Sequence, residues 1–175
     1  MGADARIIDS TIYSNTADRN GGLHVQLTAA LTNVTIAGNS AYGAFPLGGN
    51  LRNAGQPGAV SVFNTIIAGG SPTNCGSNSI LSLGHNLGSD ASCLLTGTAD
   101  LSGTAALLGP FQDNGGPTFS LMPSMVSPAV NNGSNIGCPV DDQRHVARPQ
   151  QGTCDMGAVE SPYAVLKLFL PMIRR

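Results

Sequence analysis

One short phrase occurs twice in the chain and constrains its fold more than any other feature. Residues 33–38, Asn-Val-Thr-Ile-Ala-Gly, are matched by residues 64–69, Asn-Thr-Ile-Ile-Ala-Gly, and residues 9–14 fit the same frame more loosely. A second signal is the glycine pair at 21–22, which recurs at 48–49. Intervals of this length predict stacked repeats, in which each unit buries its apolar face only against its neighbours.

Alternating apolar residues predict strands within these repeats. Ile12, Ile36 and Ile67 occupy equivalent positions of the three copies, and residues 23–27 form a second alternating run. Side chains two positions apart share one face of a strand, so each isoleucine is expected to point inward. Each repeat then holds two or three strands of about five residues, joined by Gly and Asn turns. Units of this kind coil into a parallel β-helix, in which equivalent strands pair.

The composition favours the same all-β fold class. The 175 residues include 23 Gly and 11 Pro, and only 10% are charged, against about 25% in an ordinary domain. Glycine and asparagine accept the positive φ angles of tight turns. No window has a sustained helical period of apolar residues, so long helices are not expected.

Polar residues recur at fixed distances from the three isoleucines. Asp9, Asn33 and Asn64 lie three residues before them, and Asn15 and Asn39 lie three residues after the first two. At the corners of stacked repeats, amide side chains hydrogen-bond along the stack and cap turn backbone. We therefore predict a corner ladder at these five positions and favour it over a ligand-binding role.

The four cysteines form two local pairs along the sequence. Cys75 and Cys93 bracket one segment, and Cys138 and Cys154 bracket another. Four cysteines allow three connectivities, and no pair has the two-residue spacing of a zinc knuckle. We expect the disulfides Cys75–Cys93 and Cys138–Cys154, which indicate an oxidising, extracellular setting. The alternative is four reduced, buried cysteines in a cytosolic protein.

Four segments are expected within one structural domain. Residues 1–71 carry the β-helix rungs, residues 72–99 the Cys-bracketed last rung and loop, residues 100–162 a C-terminal rung with a cap, and residues 163–175 an apolar tail. The cap is expected to cover the last rung, whose strand edges would otherwise be open to aggregation. The tail is too short to span a bilayer and is interpreted as a final strand or a sorting signal.

The start of the chain is polar and shows no signal peptide, so we expect the C-terminal part of a longer secreted protein. The net charge of −2 and the scattered arginines argue against nucleic acid as a partner. The longer repeat around residues 41–57 supplies a candidate binding loop with Tyr42 and Phe45. We expect partners among surface proteins, carbohydrates or other copies of the chain.

Five motifs in the second half of the chain carry a resemblance to a known family. They are Ser-Leu-Gly-His-Asn-Leu at 82–87, Asp-Asn-Gly-Gly-Pro-Thr at 113–118, Ser-Pro-Ala at 127–129, Asp-Gln-Arg with Arg-Pro at 142–149, and Cys-Asp-Met-Gly-Ala-Val-Glu at 154–160. The ordered set resembles the choice-of-anchor Q domain of bacterial surface proteins. This resemblance covers nearly the whole chain and implies a right-handed parallel β-helix (β-solenoid) at the cell surface, without implying a reaction. His145 departs from the family, which usually has Gly there, so the resemblance does not define the local backbone of this loop.

The same region contains acids and arginines that invite a catalytic interpretation. Polysaccharide hydrolases of this fold need carboxylates grouped on one sheet, and lyases need a cluster of carboxylates that binds calcium. Here the acids lie consecutively in the cap or singly in the repeats. We therefore expect structural ion pairs, and neither a catalytic site, a metal site nor a cofactor. The residues concerned are Asp142, Arg144, Arg148, Asp155 and Glu160.

The sequence therefore predicts a non-catalytic structural or adhesive module of a secreted or cell-surface bacterial protein. One alternative is a carbohydrate-active lyase or hydrolase. Carbohydrate binding commonly uses aromatic rings, but the chain has no Trp and only 5% aromatic residues, with Tyr13, Tyr42 and Phe45 near the repeats. The other alternative is a subunit that self-assembles into filaments or oligomers through open strand edges.

Overall fold

The computed structural model describes residues 4–43 and 48–163. These residues form sixteen strands of two to five residues and no helix, so the described chain is all-β, as predicted. In chain order the strands are β1 (Asp4–Ile8), β2 (Thr11–Tyr13), β3 (Thr16–Ala17), β4 (Leu23–Val25), β5 (Thr28–Thr32), β6 (Thr35–Ala37), β7 (Ser40–Ala41), β8 (Leu51–Asn53), β9 (Val60–Phe63), β10 (Ile66–Ala68), β11 (Cys75–Ser77), β12 (Leu81–Ser82), β13 (Leu87–Gly88), β14 (Leu101–Ser102), β15 (Leu108–Gln112) and β16 (Ser120–Pro123).

Three parallel sheets contain most of these strands. The first sheet has the order β1-β5-β9-β12, the second β2-β6-β10-β13-β14, and the third β4-β8-β11. Each of the first three repeats of the sequence places one strand in the first sheet, one in the second and one in the third, and the chain then returns to the first sheet. Strands β3 and β7 add a short parallel pair, and β15 and β16 form an antiparallel hairpin.

The strand register follows the repeated phrase. Ile36 pairs with Ile12 on one side and with Ile67 on the other, which confirms the predicted alignment of the three copies. In the third sheet, however, Leu23 pairs with Leu51, so the predicted alignment of the two glycine pairs is wrong by a single position. Leu23 and Leu51 both pack into the interior and lie side by side, and Asn50 fills the extra position directly before β8.

The interior between the sheets is a continuous apolar cluster. It includes Leu31, Val34, Ile36, Leu51 and Val62, each at most 1% exposed. Cys93 and Leu95, from the Cys-bracketed segment, also pack into it. Leu27, predicted as the last residue of the second alternating run, lies beyond β4 and is 57% exposed.

The C-terminal segment, predicted to cap the last repeat, extends along earlier repeats as well. Residues 105–163, which we call the flank segment, lie along the outer face of the second sheet and contact successive repeats. The contacts join His85 to Asn132, Asn64 to Ser134, Thr35 to Ala158, and Thr11 to Gln143. The predicted cap is therefore corrected to a flanking layer.

The outer face of the second sheet explains this arrangement. Ile66 and Leu87 point away from the interior and form a second apolar cluster with Ala106, Ala129 and Met156 of the flank segment. Strands β6 and β10 are consequently buried at every position. A sheet with two apolar faces needs cover on both.

No helix in the described ranges is long and apolar enough to cross a membrane. The predicted tail lies outside the described residues except for Tyr163.

Candidate functional site

The charged residues predicted to pair do so at one end of the flank segment. Arg144 donates from Nε and Nη2 to Asp142 Oδ2 at 2.9 and 2.7 Å. The second oxygen of Asp142 accepts the backbone N–H groups of Arg144 and Val146, at 2.7 and 3.1 Å. The Asp142 side chain is fully buried, so these donors replace its hydration.

Arg148 is the centre of the same network. Its side chain is fully buried and donates from Nη1 to Glu160 Oε2 at 2.8 Å and from Nη2 to the Gly157 carbonyl at 2.8 Å. Nη2 also reaches Asp9 Oδ1 of the first repeat at 3.3 Å. Among the described residues, Arg148 Nε has no hydrogen-bond partner.

Glu160 and Asp155 are held mainly by backbone. The Glu160 carboxylate accepts the N–H groups of Gln150 and Asp155, each at 3.0 Å. Asp155 accepts those of Asn131 and Ser161, each at 2.6 Å. Both acids therefore order the backbone of the flank segment.

Two carboxyl groups of the network have raised pKa values. Burial raises the pKa of Asp9 to about 6, with Arg148 opposing the shift and Asp142 and Asp141 adding to it. Burial also raises the pKa of Asp155 to about 6, against the hydrogen bonds from Asn131 and Ser161. Burial is the largest cause in both cases: Arg148 compensates the Asp9 carboxylate only in part, and the Asp155 carboxylate accepts backbone N–H groups without an arginine partner.

This arrangement suits a structural clamp. The carboxylate oxygens accept hydrogen bonds from guanidinium and backbone N–H groups. In the described ranges, no group of three or more His, Cys, Asp or Glu side chains could hold a metal ion. Chemically, the network fixes the flank segment to the first repeat.

The loop around His145 has a turn conformation suited to glycine. His145 has a φ of 65°, in the left-handed region, and its N–H donates to the Asp142 carbonyl at 2.9 Å. Glycine adopts this left-handed conformation more readily than other residues, so the loop retains a glycine-like turn with His at this position.

The predicted asparagine ladder is longer than the sequence suggested. Asn15 Nδ2 donates to Asn39 Oδ1 at 2.9 Å, Asn39 Nδ2 to Asn50 Oδ1 at 2.8 Å, and Asn50 Nδ2 to Asn74 Oδ1 at 2.8 Å. Asn74 then donates to Ser89 Oγ at 3.0 Å. The repeated phrase did not point to Asn50 and Asn74, although each directly precedes a strand.

The other predicted set of corner residues is Asp9, Asn33 and Asn64, and it ends in a carboxylate and not in an amide. Asn33 and Asn64 are fully buried, and Asn64 Nδ2 donates to Asn33 Oδ1 at 3.2 Å. Both have positive φ angles, as does Asp9. Asp9 shares the corner conformation, but its carboxylate pairs with Arg148.

Both expected disulfides are present. Cys75 is bonded to Cys93, and Cys138 is bonded to Cys154. In the candidate binding loop Tyr42 is 70% exposed, whereas Phe45 lies outside the described residues.

An aromatic cluster joins the first repeat to the flank segment. The ring centroid of Phe111 lies 4.8 Å from that of Tyr13 and 5.8 Å from that of Phe119. Beside Tyr13 opens a groove of about 400 Å³, lined by the ends of the second-sheet strands, residues 105–109 and Leu121. No pattern in the sequence pointed to this cluster, because its members are far apart in the chain.

Comparisons of the chain with protein-family models, with curated proteins and with solved structures found no match. The functional interpretation therefore depends on the contacts described above and on the motifs of the sequence.

Proposed function

We propose that the chain is part of a right-handed parallel β-helix of the choice-of-anchor Q type. In this proposal it serves as a non-catalytic structural or adhesive module of a secreted or cell-surface bacterial protein. The observation that carries the proposal is the pairing of Ile12, Ile36 and Ile67 across three successive repeats. Three parallel sheets entered in turn by successive repeats are what a β-helix requires, and this connectivity supports the proposal.

The asparagine ladders support the same interpretation. Stacked amides satisfy the turn backbone from one repeat to the next, so the repeats hold one another at a fixed spacing. The result is a rigid wall whose surface is available for attachment. The two disulfides support an oxidising location, where such bonds persist.

The proposal that the module is non-catalytic rests on the roles of its acids. General acid and base groups need access to a substrate. The carboxylates of Asp142 and Glu160 instead accept hydrogen bonds from arginines and backbone inside the clamp, with side chains at most 1% exposed.

The test is incubation of the purified chain with acidic and neutral polysaccharides across acidic and alkaline pH. We expect neither new reducing ends nor the ultraviolet absorbance of unsaturated uronates. Product formation that disappears in a folded Arg144→Met variant would overturn the proposal. Display of the chain on bacterial cells is expected to increase their attachment to a coated surface, relative to cells that display an unrelated domain.

A further inference from the structure

Three aromatic side chains from distant parts of the sequence meet at one place on the surface. Tyr13 ends β2, Phe111 lies in β15, and Phe119 directly precedes β16. Their exposed fractions are 37%, 42% and 56%, so each ring keeps a large area in contact with water. The chain has only eight Phe and Tyr residues and no Trp. A contiguous exposed patch of this kind is a mark of an interaction site.

Several polar groups near the three rings are uncharged amides and hydroxyls, and one exposed acid, Asp113, lies on the β15–β16 hairpin. Thr11 Oγ1 donates to Gln143 Oε1 at 2.6 Å, and Gln143 Nε2 donates to Thr118 Oγ1 at 2.9 Å. On the hairpin, Gln112 Nε2 donates to Asn114 Oδ1 at 3.1 Å. Amides and hydroxyls therefore border the rings on the flank segment.

The adjoining groove continues from Tyr13 across the second sheet. Its floor is the column of Tyr13, Ala37 and Ala68, which are paired residues of neighbouring strands, followed by Ser89. At about 4.8 Å per strand, the column is about 14 Å long. No charged side chain occurs among the described residues that line the groove.

We propose that the three rings and this groove bind a neutral polysaccharide chain. The C–H faces of sugar rings stack on aromatic rings, and amides and hydroxyls exchange hydrogen bonds with sugar hydroxyls. The uncharged lining matches an uncharged ligand, because a buried charge without a partner would be costly on either side. This inference names a ligand class for the proposed adhesive function and rests on that function.

A peptide that adds as a strand is a weaker fit to the groove. Strand addition requires free backbone donors and acceptors. Along the floor, Gly38 N–H already donates to the Ala68 carbonyl at 2.9 Å, and Gly69 N–H donates to Ser89 Oγ at 2.8 Å. These donors are not available to a peptide backbone.

The experiment is affinity electrophoresis of the whole chain in gels that contain hydroxyethylcellulose, glucomannan, dextran or polygalacturonate. We expect retardation by at least one neutral polysaccharide and none by polygalacturonate. Phe119→Ala should weaken this binding about tenfold, the effect of losing one ring contact. Phe119→Tyr keeps the ring and should retain binding. Ile136→Ala removes an apolar side chain that is 89% exposed elsewhere and is the matched control.

Thermal melting of each variant shows that a loss of binding is not a loss of folding. The inference is overturned by no retardation in any neutral gel, by retardation in polygalacturonate alone, by capture of peptides alone, or by full binding of a folded Phe119→Ala variant. Gel retardation and the assay for reducing ends together distinguish this inference from the proposed function. New reducing ends in a bound polysaccharide would overturn the non-catalytic role and leave the binding site intact, whereas absence of binding without cleavage would overturn only the site.

Discussion

Arg148 and Asp9 are 139 positions apart in the sequence, yet Arg148 Nη2 lies 3.3 Å from Asp9 Oδ1. This contact joins the end of the flank segment to the first repeat. Arg148 also binds Glu160, whose carboxylate orders the backbone around Asp155 and Gln150. One buried guanidinium therefore connects the two parts of the chain that are most distant in sequence.

Replacing Arg148 with Met should destabilise the protein by about 3–5 kcal/mol, because Glu160 is left as a buried charge without its partner. Urea unfolding monitored by circular dichroism measures this loss. The double variant R148M/E160Q should lose less than R148M alone, since the uncompensated charge is then removed. Arg19→Met, whose ion pair with Asp18 is exposed, should change stability by less than about 0.5 kcal/mol. Strictly additive effects of R148M and E160Q would contradict this account.

The unfolding free energy should rise as the pH falls from 7 to 4.5. Asp9 and Asp155 have folded-state pKa values of about 6, against 3.8 for the ordinary group. Between these values the folded state binds more protons than the unfolded state, so acid stabilises it, by about 2 kcal/mol for Asp155 and by less for Asp9, which is partly screened by solvent. Urea midpoints at the two pH values measure the effect.

Asp9→Asn is the control for this pH dependence and should remove the smaller part of it, leaving the contribution of Asp155. Asp90 does not oppose the effect in this window. Burial raises its pKa, but hydrogen bonds from Ser92 and Asn74 outweigh burial and leave it lowered. Its stabilising contribution is lost only as the pH falls below 3.8. Burial and the nearby Arg52 lower the pKa of His24, so His24 opposes the effect in this window. Stability that falls between pH 7 and 4.5 to the same extent in the wild type and in Asp9→Asn would contradict the raised pKa of Asp9.

The strand register could be predicted from sequence because the repeat states it directly. Equivalent isoleucines at Ile12, Ile36 and Ile67 need the same interior, and parallel pairing places them side by side. The disulfide pairs were predictable for a similar reason, since each closes a short local loop. Local and periodic signals of this kind do not require knowledge of distant contacts.

The position of the flank segment could not be predicted in this way. Thr35 and Ile66 face outward from the second sheet, and nothing in the repeat phrase says which segment covers them. The contacts of Thr35 with Ala158 and of Ile66 with Met156 join parts of the chain that are far apart in sequence. The same holds for the aromatic cluster around Phe111. The place of Asn50 in the asparagine ladder could have been predicted, because an asparagine directly before a strand occurs again at Asn74.

Asn50→Ala should cost about 2–4 kcal/mol, because its removal leaves several buried groups without partners. The Asn50 side chain accepts from Asn39 Nδ2 and backbone N–H, at 2.8 and 3.1 Å, and donates to Asn74 and to the Ala68 carbonyl, at 2.8 and 2.9 Å. Asn15→Ala, at the exposed end of the ladder, should cost less than about 1 kcal/mol. Equal losses in urea unfolding for the two variants would show that position in the ladder does not matter.

Replacing either disulfide by two serines should lower stability by about 3 kcal/mol, since the loops close over 18 and 16 residues. The two variants should differ in where the chain opens. C138S/C154S should speed hydrogen exchange at Gly157 and Ala158, whose N–H groups bind the second sheet. C75S/C93S should leave that exchange close to the wild-type rate. Equal protection of both amides in the two variants would contradict a separate flanking layer.

Gly157 and Gly115 offer a direct test of the contact between the flank segment and the second sheet. Both have a φ of 91°, so alanine at either position carries the same backbone strain, about 1–2 kcal/mol. A Cβ at Gly157 would lie 2.7 Å from both Ile66 Cδ1 and Thr35 Oγ1, whereas a Cβ at Gly115 would meet nothing within 4 Å. Gly157→Ala should therefore cost about 1–3 kcal/mol more than Gly115→Ala, because the layer must move away from the sheet. Urea unfolding of the two variants measures the difference, and the G157A variant should also exchange the Ala158 amide faster. If the two alanine variants were equally stable, the flank segment would not be packed on Thr35 and Ile66 in solution.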